Sequence, residues 1–128
     1  MPVRCEFKSN GVIIWHSGAV TGSELIQANK SIYAHKFDGL FLFQLADLSD
    51  VETFDVSSDD MGALAAMDRQ HSESHSQFAC VVAPTDYLFG LSRQWNIQPE
   101  TESFNTYVVR SKGEAIEWFK SKGIAISI

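Results

Sequence analysis

A run of apolar residues from Leu40 to Ala46 constrains the fold of this chain more than any other feature of the sequence. A strand that is apolar on successive residues must be covered on both faces, so the run predicts a central strand with helices on both sides of its sheet. Gln44 interrupts the run, and we interpret it as facing a gap between helices or bonding to a loop. Phe78 to Ala83 predicts a second central strand. The length of 128 residues suits one core, so we expect a single domain over residues 1–128.

The residues before this run predict an N-terminal β-hairpin. Apolar and charged residues alternate from Val3 to Lys8, which is typical of a strand with one wet face. Asn10 and Gly11 suit a type I′ turn, in which both central residues have positive φ. The partner strand is then Val12 to His16.

Helix starts alternate with the later strands. Capping-box patterns begin at Thr21, Ser57 and Ser111, each with an acidic residue three positions later. Pro84 ends one strand and precedes another helix, in which we expect a bulky group to press against the mid-helix Gly90. Helices of this length allow right-handed crossovers between parallel strands. We therefore predict an α/β fold with a mixed sheet of about five strands and about four helices, in which parallel βα units follow the hairpin.

Composition and charge argue against several classes of protein. The formal net charge is −6 and the ten Lys and Arg residues are scattered, which argues against nucleic acid as a partner. The longest apolar run is too short to span a membrane, and the N-terminal residues lack the apolar region of a secretory signal. We therefore expect a cytoplasmic protein, in which Cys5 and Cys80 are buried thiols and not a disulfide.

The segment after the central strand, LADLSDVETFDVSSDDMGAL, is the candidate functional site. We expect an exposed loop that leads into a helix, because ligands bind beyond the carboxyl ends of strands in open α/β sheets. Two or three of its carboxylates could hold a divalent cation, but their spacing matches no known metal loop, so we expect no metal. The residues that we consider for partner binding are Asp47, Asp50, Asp55, Ser57, Ser58 and Asp59.

Aromatic residues near the two central strands allow a second interpretation. They could line an apolar pocket between the sheet and the helices, which would bind a small molecule or a lipid. Such residues are more often simply core. The candidates for the pocket are Phe41, Phe43, Tyr87 and Trp95.

The C-terminal segment Gly123 to Ile128 alternates isoleucine with small residues. It could add a strand to an edge of its own sheet or of a neighbour's, which makes a homodimer conceivable. Docking on its own core is the simpler expectation.

No pattern in the sequence specifies a reaction. There is no nucleophile elbow, phosphate-binding Gly-Lys loop or dinucleotide fingerprint, so we expect neither an enzyme nor a cofactor. His71 and His75 have a spacing that could share zinc on a helix, but no third ligand is evident, and we expect solvated histidines.

In order and spacing, these elements resemble the STAS domains, in the branch similar to the sporulation stage-II-AA protein. The resemblance covers nearly the whole chain and rests on the opening hairpin, TGSEL, LADLSDVETFDVSSDDMGAL, CVVAPTDYLFGLSRQW and VVRSKGEAIEWF. It implies a non-enzymatic switch of the anti-sigma-factor-antagonist type, which binds a regulatory partner protein through the loop and helix start after the central strand. In the antagonists, a serine of an Asp-Ser-Ser-Gly motif at that helix start is phosphorylated by the partner kinase. The segment Asp55 to Asp59, DVSSD, replaces the motif here, which makes Ser57 and Ser58 the phosphorylation candidates.

Overall fold

One five-stranded mixed sheet organises the described part of the chain. The computed structural model describes residues 2–71, 77–97 and 104–127. The strands lie in chain order, and β1 is antiparallel to β2 while the later neighbours are parallel. Their bounds are β1 (Val3–Phe7), β2 (Gly11–Thr21), β3 (Phe43–Asp55), β4 (Gln77–Val82) and β5 (Phe104–Val109). The predicted α/β fold with a hairpin followed by parallel strands is confirmed.

Four helices cover the two faces of this sheet. They are α1 (Gly22–Ala34), α2 (Ser58–His71), α3 (Asp86–Ile97) and α4 (Lys112–Ser121). The three helices that connect parallel neighbours lie on one face, because each step in the same direction makes the same right-handed crossover. There Leu48, Met61 and Leu88 belong to one apolar cluster. On the other face α4 packs its Phe119 against Phe43 of β3, with ring centroids 5.7 Å apart.

Two of the three predicted capping boxes form at the helix starts, and at Ser111 only the cap forms. Thr21 Oγ1 accepts from the Glu24 amide at 3.3 Å, and Glu24 Oε1 accepts from the Thr21 amide at 2.9 Å. The pair Ser57 and Asp60 makes the same reciprocal bonds at 3.1 and 3.0 Å. Ser111 caps α4 by accepting at 3.3 Å from the amide three residues on. The pairs at Thr21 and Ser57 each satisfy two amides that a helix start would otherwise leave without an acceptor, and Ser111 satisfies one.

The hairpin between β1 and β2 forms without the predicted type I′ turn. Neither Asn10 nor Gly11 has a positive φ, and Gly11 is already the first residue of β2. A Cβ built at Gly11 would lie 2.2 Å from the ring of Phe43 on the neighbouring strand. Glycine is therefore needed for the close approach of an aromatic ring and not for a turn.

The expectation of a bulky group against Gly90 is also wrong. Apart from its chain neighbours and the adjacent backbone of α3, no described atom lies within 4 Å of a Cβ built at this position. Gly90 is exposed on α3, so the space around it gives no reason for a glycine.

The central strand is longer than the apolar run and displaced from it. β3 begins at Phe43 and continues to Asp55, so most of the predicted loop is strand. Pairing with β4 ends at Asp47, but pairing with β2 continues from Ser17 to Thr21. This extension, residues 17–21 with residues 50–55, is a two-stranded parallel arm that we call the β2–β3 arm. It forms because Val20 of β2 and Phe54 of β3 bury their side chains in the same apolar cluster as α2 and α3.

The C-terminal segment docks on its own core. Ile124 is buried in the cluster that contains Phe119, and its amide donates to the Phe119 carbonyl at 2.9 Å. Residues 124–127 form no strand. Ile128, which completes the predicted alternation, lies outside the described residues.

Both cysteines are free thiols; Cys80 is buried and Cys5 is partly buried. Among the helices of the described ranges, none is long and apolar enough to cross a membrane.

Candidate functional site

The junction between β3 and α2 presents hydroxyl and carboxylate groups to solvent. Asp55 ends the strand, and Ser57, Ser58 and Asp59 follow at the start of the helix; all four are exposed. We call these four residues the junction surface. Asp50 is exposed as well, but it lies five residues earlier on the β2–β3 arm and is not part of this surface.

The two serines of the junction surface have different roles. Ser57 is the cap of α2, and its hydroxyl accepts from the Asp60 amide. Ser58 is the first helical residue, and its side chain makes no hydrogen bond to any described residue. The hydroxyl of Ser58 is therefore free for a partner or a modifying enzyme, whereas that of Ser57 is occupied by the fold.

Asp47 does not belong to the exposed site, which corrects the expectation for this residue. Its side chain is 3% exposed. Its Oδ1 accepts from the amide and the hydroxyl of Ser49 at 2.9 and 2.6 Å, and its Oδ2 lies 3.6 Å from Nζ of Lys112. Between Trp15 and Ser17 the register of β2 against β3 shifts by one residue, so that Leu48 and Ser49 of β3 together oppose His16. The carboxylate of Asp47 holds this irregular backbone together and is structural.

Tyr87 borders the junction surface and does not line a pocket. Its ring is 62% exposed, and its hydroxyl donates to the carbonyl of Phe54 at 3.3 Å, next to Asp55. Tyrosine is enriched at protein interfaces.

The junction surface is negatively charged. Asp55, Asp59 and the neighbouring Asp60 lie within six residues, and none of them takes part in an ion pair with a described residue. Carboxylates in the first turn of a helix are favoured by the positive end of the helix dipole. The helix dipole therefore stabilises the carboxylates of the first turn even though they have no cationic neighbour among the described residues.

A cavity of about 100 Å³ lies between the sheet and α1, α2 and α3. Of the four aromatic residues predicted to form a pocket, only Trp95 lines it. Phe41 packs with Val12 and Ile32 in another cluster, and Phe43 lies on the opposite face of the sheet. The residues that line the cavity are Ile14, His16, Leu25, Ala28, Asn29, Ile32, Gln44, Ala46, Leu48, Phe54, Met61, Leu64, Asp68, Ala79, Cys80, Val81, Ser92 and Trp95.

One wall of this cavity carries a buried carboxylate, that of Asp68 on α2. Its Oδ1 accepts from the Tyr33 hydroxyl at 2.6 Å and from the Asn29 amide at 3.2 Å. Its Oδ2 accepts from the Trp95 indole at 2.8 Å. The three donors come from α1 and α3, so this one side chain ties three helices together.

The hydrogen bonds continue from Asp68 into the sheet. The Gln44 amide donates to the Tyr33 hydroxyl at 2.9 Å and to Oε1 of Gln77 at 3.3 Å. Gln44 thus faces the space between the sheet and the helices and bonds to a helix and a strand, whereas the sequence predicts a gap between helices or a bond to a loop. The sequence signals for this network were weak: a glutamine in an apolar strand, and an aspartate at a helical position in register with Met61 and Leu64.

Burial sets the protonation of the groups around the cavity. Loss of water raises the pKa of Asp68 to about 6, although its hydrogen bonds from Tyr33, Trp95 and Asn29 and the charge of His71 act in the opposite direction. Burial also raises the pKa of Tyr33, with the charge of Asp68 adding to the effect. Burial lowers the pKa of His16, which keeps its imidazole neutral at pH 7. The cavity therefore combines an acidic group, largely ionised at neutral pH, with the neutral Tyr33 and His16.

The described residues contain no group of three His, Cys, Asp or Glu side chains that could hold a metal ion. His71 stacks on Tyr33 with ring centroids 4.2 Å apart. His75, the second histidine of the predicted zinc spacing, lies outside the described ranges.

No protein-family model matches this chain, and no curated protein matches it either. The class that fold and site define is an α/β domain with one mixed sheet, an exposed acidic junction and a buried polar network beside a cavity.

Proposed function

We propose that this chain is a non-enzymatic regulatory module of the anti-sigma-factor-antagonist type, which acts in the cytoplasm and binds a partner protein through the junction surface. One observation carries the proposal: Asp55, Ser57, Ser58 and Asp59 are all exposed on a backbone that the reciprocal Ser57–Asp60 cap holds in place. A pre-organised polar surface loses little conformational freedom when a partner binds. The resemblance to the STAS domains points to the same segment.

The charge of the junction surface favours a basic partner. Asp55, Asp59 and Asp60 have no cationic neighbour among the ion pairs of the described residues, so a partner with Lys or Arg would supply it. The exposed ring of Tyr87 beside them offers apolar contact area. We infer an interface in which basic side chains of the partner meet the carboxylates and an apolar group covers the tyrosine.

Ser58 is the residue of the junction at which we propose regulation by phosphorylation. A phosphate there would lie at a helix N-terminus, which contributes about 0.3–1 kcal/mol in its favour. Each neighbouring carboxylate at about 4 Å would oppose it by about 1 kcal/mol in water. Phosphorylation therefore does not stabilise the free chain, and its effect is to change the charge that the partner meets.

Affinity capture from the native cell tests this proposal. The variant Asp59→Asn removes one exposed charge from the start of α2, and Glu117→Gln removes one from the exposed face of α4 on the opposite side of the sheet. We expect a partner that is retained by the unchanged protein and by Glu117→Gln, but reduced severalfold with Asp59→Asn. Equal retention by both variants would exclude the junction surface as the binding site.

A homodimer through the C-terminal segment is a separate prediction. Ile124 is already buried on its own core, so dimerisation through this residue would require the segment to leave the surface where it docks. We therefore propose that the regulatory module works as a monomer of 14.3 kDa, which a mass measurement in solution tests.

A further inference from the structure

The cavity between the sheet and α1–α3 has apolar walls and a polar end. Its walls include Ile14, Ile32, Leu48 and Leu64, and the buried Asp68 lies at its border. Its volume of about 100 Å³ is several times what one water molecule needs, and it approaches that of cavities that hold a small ring. A space of this size and composition is wide enough for an organic molecule of about six non-hydrogen atoms.

The polar groups at the cavity have unused capacity to accept hydrogen bonds. The Asn29 and Gln44 amides donate their N–H groups, but their oxygens accept no hydrogen bond from the described residues. The hydroxyl of Ser92, only 3% exposed on α3, has no hydrogen-bond partner in the described ranges. Buried polar groups are rarely left in this state. All three residues line the cavity, so a molecule inside it would meet two carbonyl oxygens and one hydroxyl.

Asp68 adds a further free acceptor position. A carboxylate offers about four lone-pair sites, and the described residues fill three of those of Asp68. No Lys, Arg or His of the described ranges forms an ion pair with it. The charge of His71, which does not line the cavity, acts on Asp68, whereas His16, which does line it, is held neutral by burial.

We propose that this cavity is a binding site for a compact apolar molecule that carries one hydrogen-bond-donating head, an amine in preference to an alcohol. The apolar part fills the space beside Ile14 and Leu64, and the head donates to Asp68 and to the oxygens of Asn29 and Gln44. A protonated amine binds best because it also neutralises the buried carboxylate. A molecule whose head only accepts hydrogen bonds can accept from the Ser92 hydroxyl but meets unpaired acceptors at Asp68, Asn29 and Gln44, so it binds more weakly. This site is separate from the junction surface and does not depend on the function proposed for it.

Four molecules of equal size, each with six non-hydrogen atoms, separate the possible head groups. Cyclopentylamine is cationic and donates hydrogen bonds, and cyclopentanol both donates and accepts them. Cyclopentanone only accepts hydrogen bonds, and methylcyclopentane neither donates nor accepts them. Binding is measured on the full chain by NMR, from the shifts of the side-chain methyl groups of Ile14 and Leu64, which line the cavity. We expect the amine to bind about tenfold or more tightly than the ketone, since hydrogen bonds to a charged acceptor contribute more than those to a neutral one.

Matched alanine substitutions locate the binding. Ala28 and Ala34 both lie on α1, but Ala28 lines the cavity while Ala34 is exposed. Ala28→Leu fills the cavity and should remove at least about tenfold of the amine affinity, because the molecule loses its space. Ala34→Leu should leave the affinity unchanged. Ala79→Val reduces the volume of the same cavity from the side of β4. It replaces Ala28→Leu in the experiment if that variant does not fold.

Three outcomes would overturn the proposal: no molecule of the series shifts the cavity methyl groups, the ketone or the hydrocarbon binds as tightly as the amine, or the amine binds equally well in the cavity-filling variants. Tight binding of the amine that is lost in Ala28→Leu or Ala79→Val and kept in Ala34→Leu would support it.

Discussion

Tyr33 donates a 2.6 Å hydrogen bond from its hydroxyl to the buried carboxylate of Asp68, across 35 positions of sequence and between α1 and α2. The same hydroxyl accepts from Gln44 of β3, so that one oxygen connects two helices to the sheet. Such a bond matters because an unsatisfied buried charge is costly. We therefore expect the stability of the contact between α1, α2 and β3 to depend on this single hydroxyl oxygen.

Removing the Tyr33 hydroxyl should destabilise the protein. In Tyr33→Phe, Asp68 loses its shortest hydrogen bond and Gln44 loses an acceptor, so we expect the free energy of unfolding to fall by about 1–3 kcal/mol. Urea denaturation followed by circular dichroism measures the change. Tyr107→Phe is the matched control, because Tyr107 is 49% exposed and its hydroxyl has no partner in the described ranges. Equal stability of the two variants would contradict the role given to the Tyr33 hydroxyl.

The buried carboxylate also predicts how stability depends on pH. Burial raises the pKa of Asp68 from 3.8 to about 6, so the folded state binds this proton more tightly than the unfolded state. The resulting stabilisation is complete below the unfolded pKa, and it is lost as the pH rises through the folded pKa. In Asp68→Asn this contribution should be absent. Urea denaturation between pH 4 and 7 should therefore show a smaller loss of stability with rising pH in Asp68→Asn than in the unchanged protein.

The control for this pH series is Asp59→Asn, whose side chain is exposed. The loss of stability with rising pH that Asp68 causes should persist in this variant, because the buried carboxylate is kept. A pH dependence that is the same in Asp68→Asn and in Asp59→Asn would show that Asp68 does not titrate as described.

Two glycines should respond in opposite directions to substitution by alanine. In Gly11→Ala the new methyl group would meet the Phe43 ring at 2.2 Å, which should cost about 1–3 kcal/mol or more of stability. In Gly90→Ala the methyl group meets no described atom within 4 Å beyond its chain neighbours and the adjacent backbone of α3, and the helix gains about 0.5–1 kcal/mol. Thermal denaturation of both variants measures the difference. A destabilised Gly90→Ala would mean that this position is constrained after all.

Alanine substitutions of the two serines of the junction surface should differ in their effects on stability and on phosphorylation. Ser57→Ala removes the cap of α2 and should lower the free energy of unfolding by about 1 kcal/mol. Ser58→Ala removes a hydroxyl without a described partner and should change it by less than about 0.5 kcal/mol. Intact-mass analysis of protein from its native cell should then find a phosphorylated fraction that disappears in Ser58→Ala and persists in Ser57→Ala. The opposite pattern would assign the regulated site to Ser57.

The architecture could be predicted from local patterns because each element carries its own signal. The TGSE and SKGE boxes mark helix starts, and the apolar residues around Leu45 and Val81 mark central strands. The strand order follows from short right-handed connections between neighbours. These signals need no knowledge of distant contacts.

The site could be predicted only in part, because the burial of a polar residue depends on residues far away in sequence. Asp47 and Asp55 look alike in the sequence, but a register shift against β2 buries the first and leaves the second exposed. The β2–β3 arm was missed for a similar reason: its buried residues Val20 and Phe54 lie among polar ones. Asp68 acquires its role from Tyr33 and Trp95, which approach it only in the folded chain.

The most direct test of the proposed function is photocrosslinking in the native cell. A photoreactive p-benzoylphenylalanine at position 58 lies on the junction surface, and the same residue at position 117 lies on exposed α4 across the sheet. The account predicts a discrete crosslinked adduct with another protein from position 58, and none from position 117. Adducts from position 117 alone, or none from position 58, would contradict it.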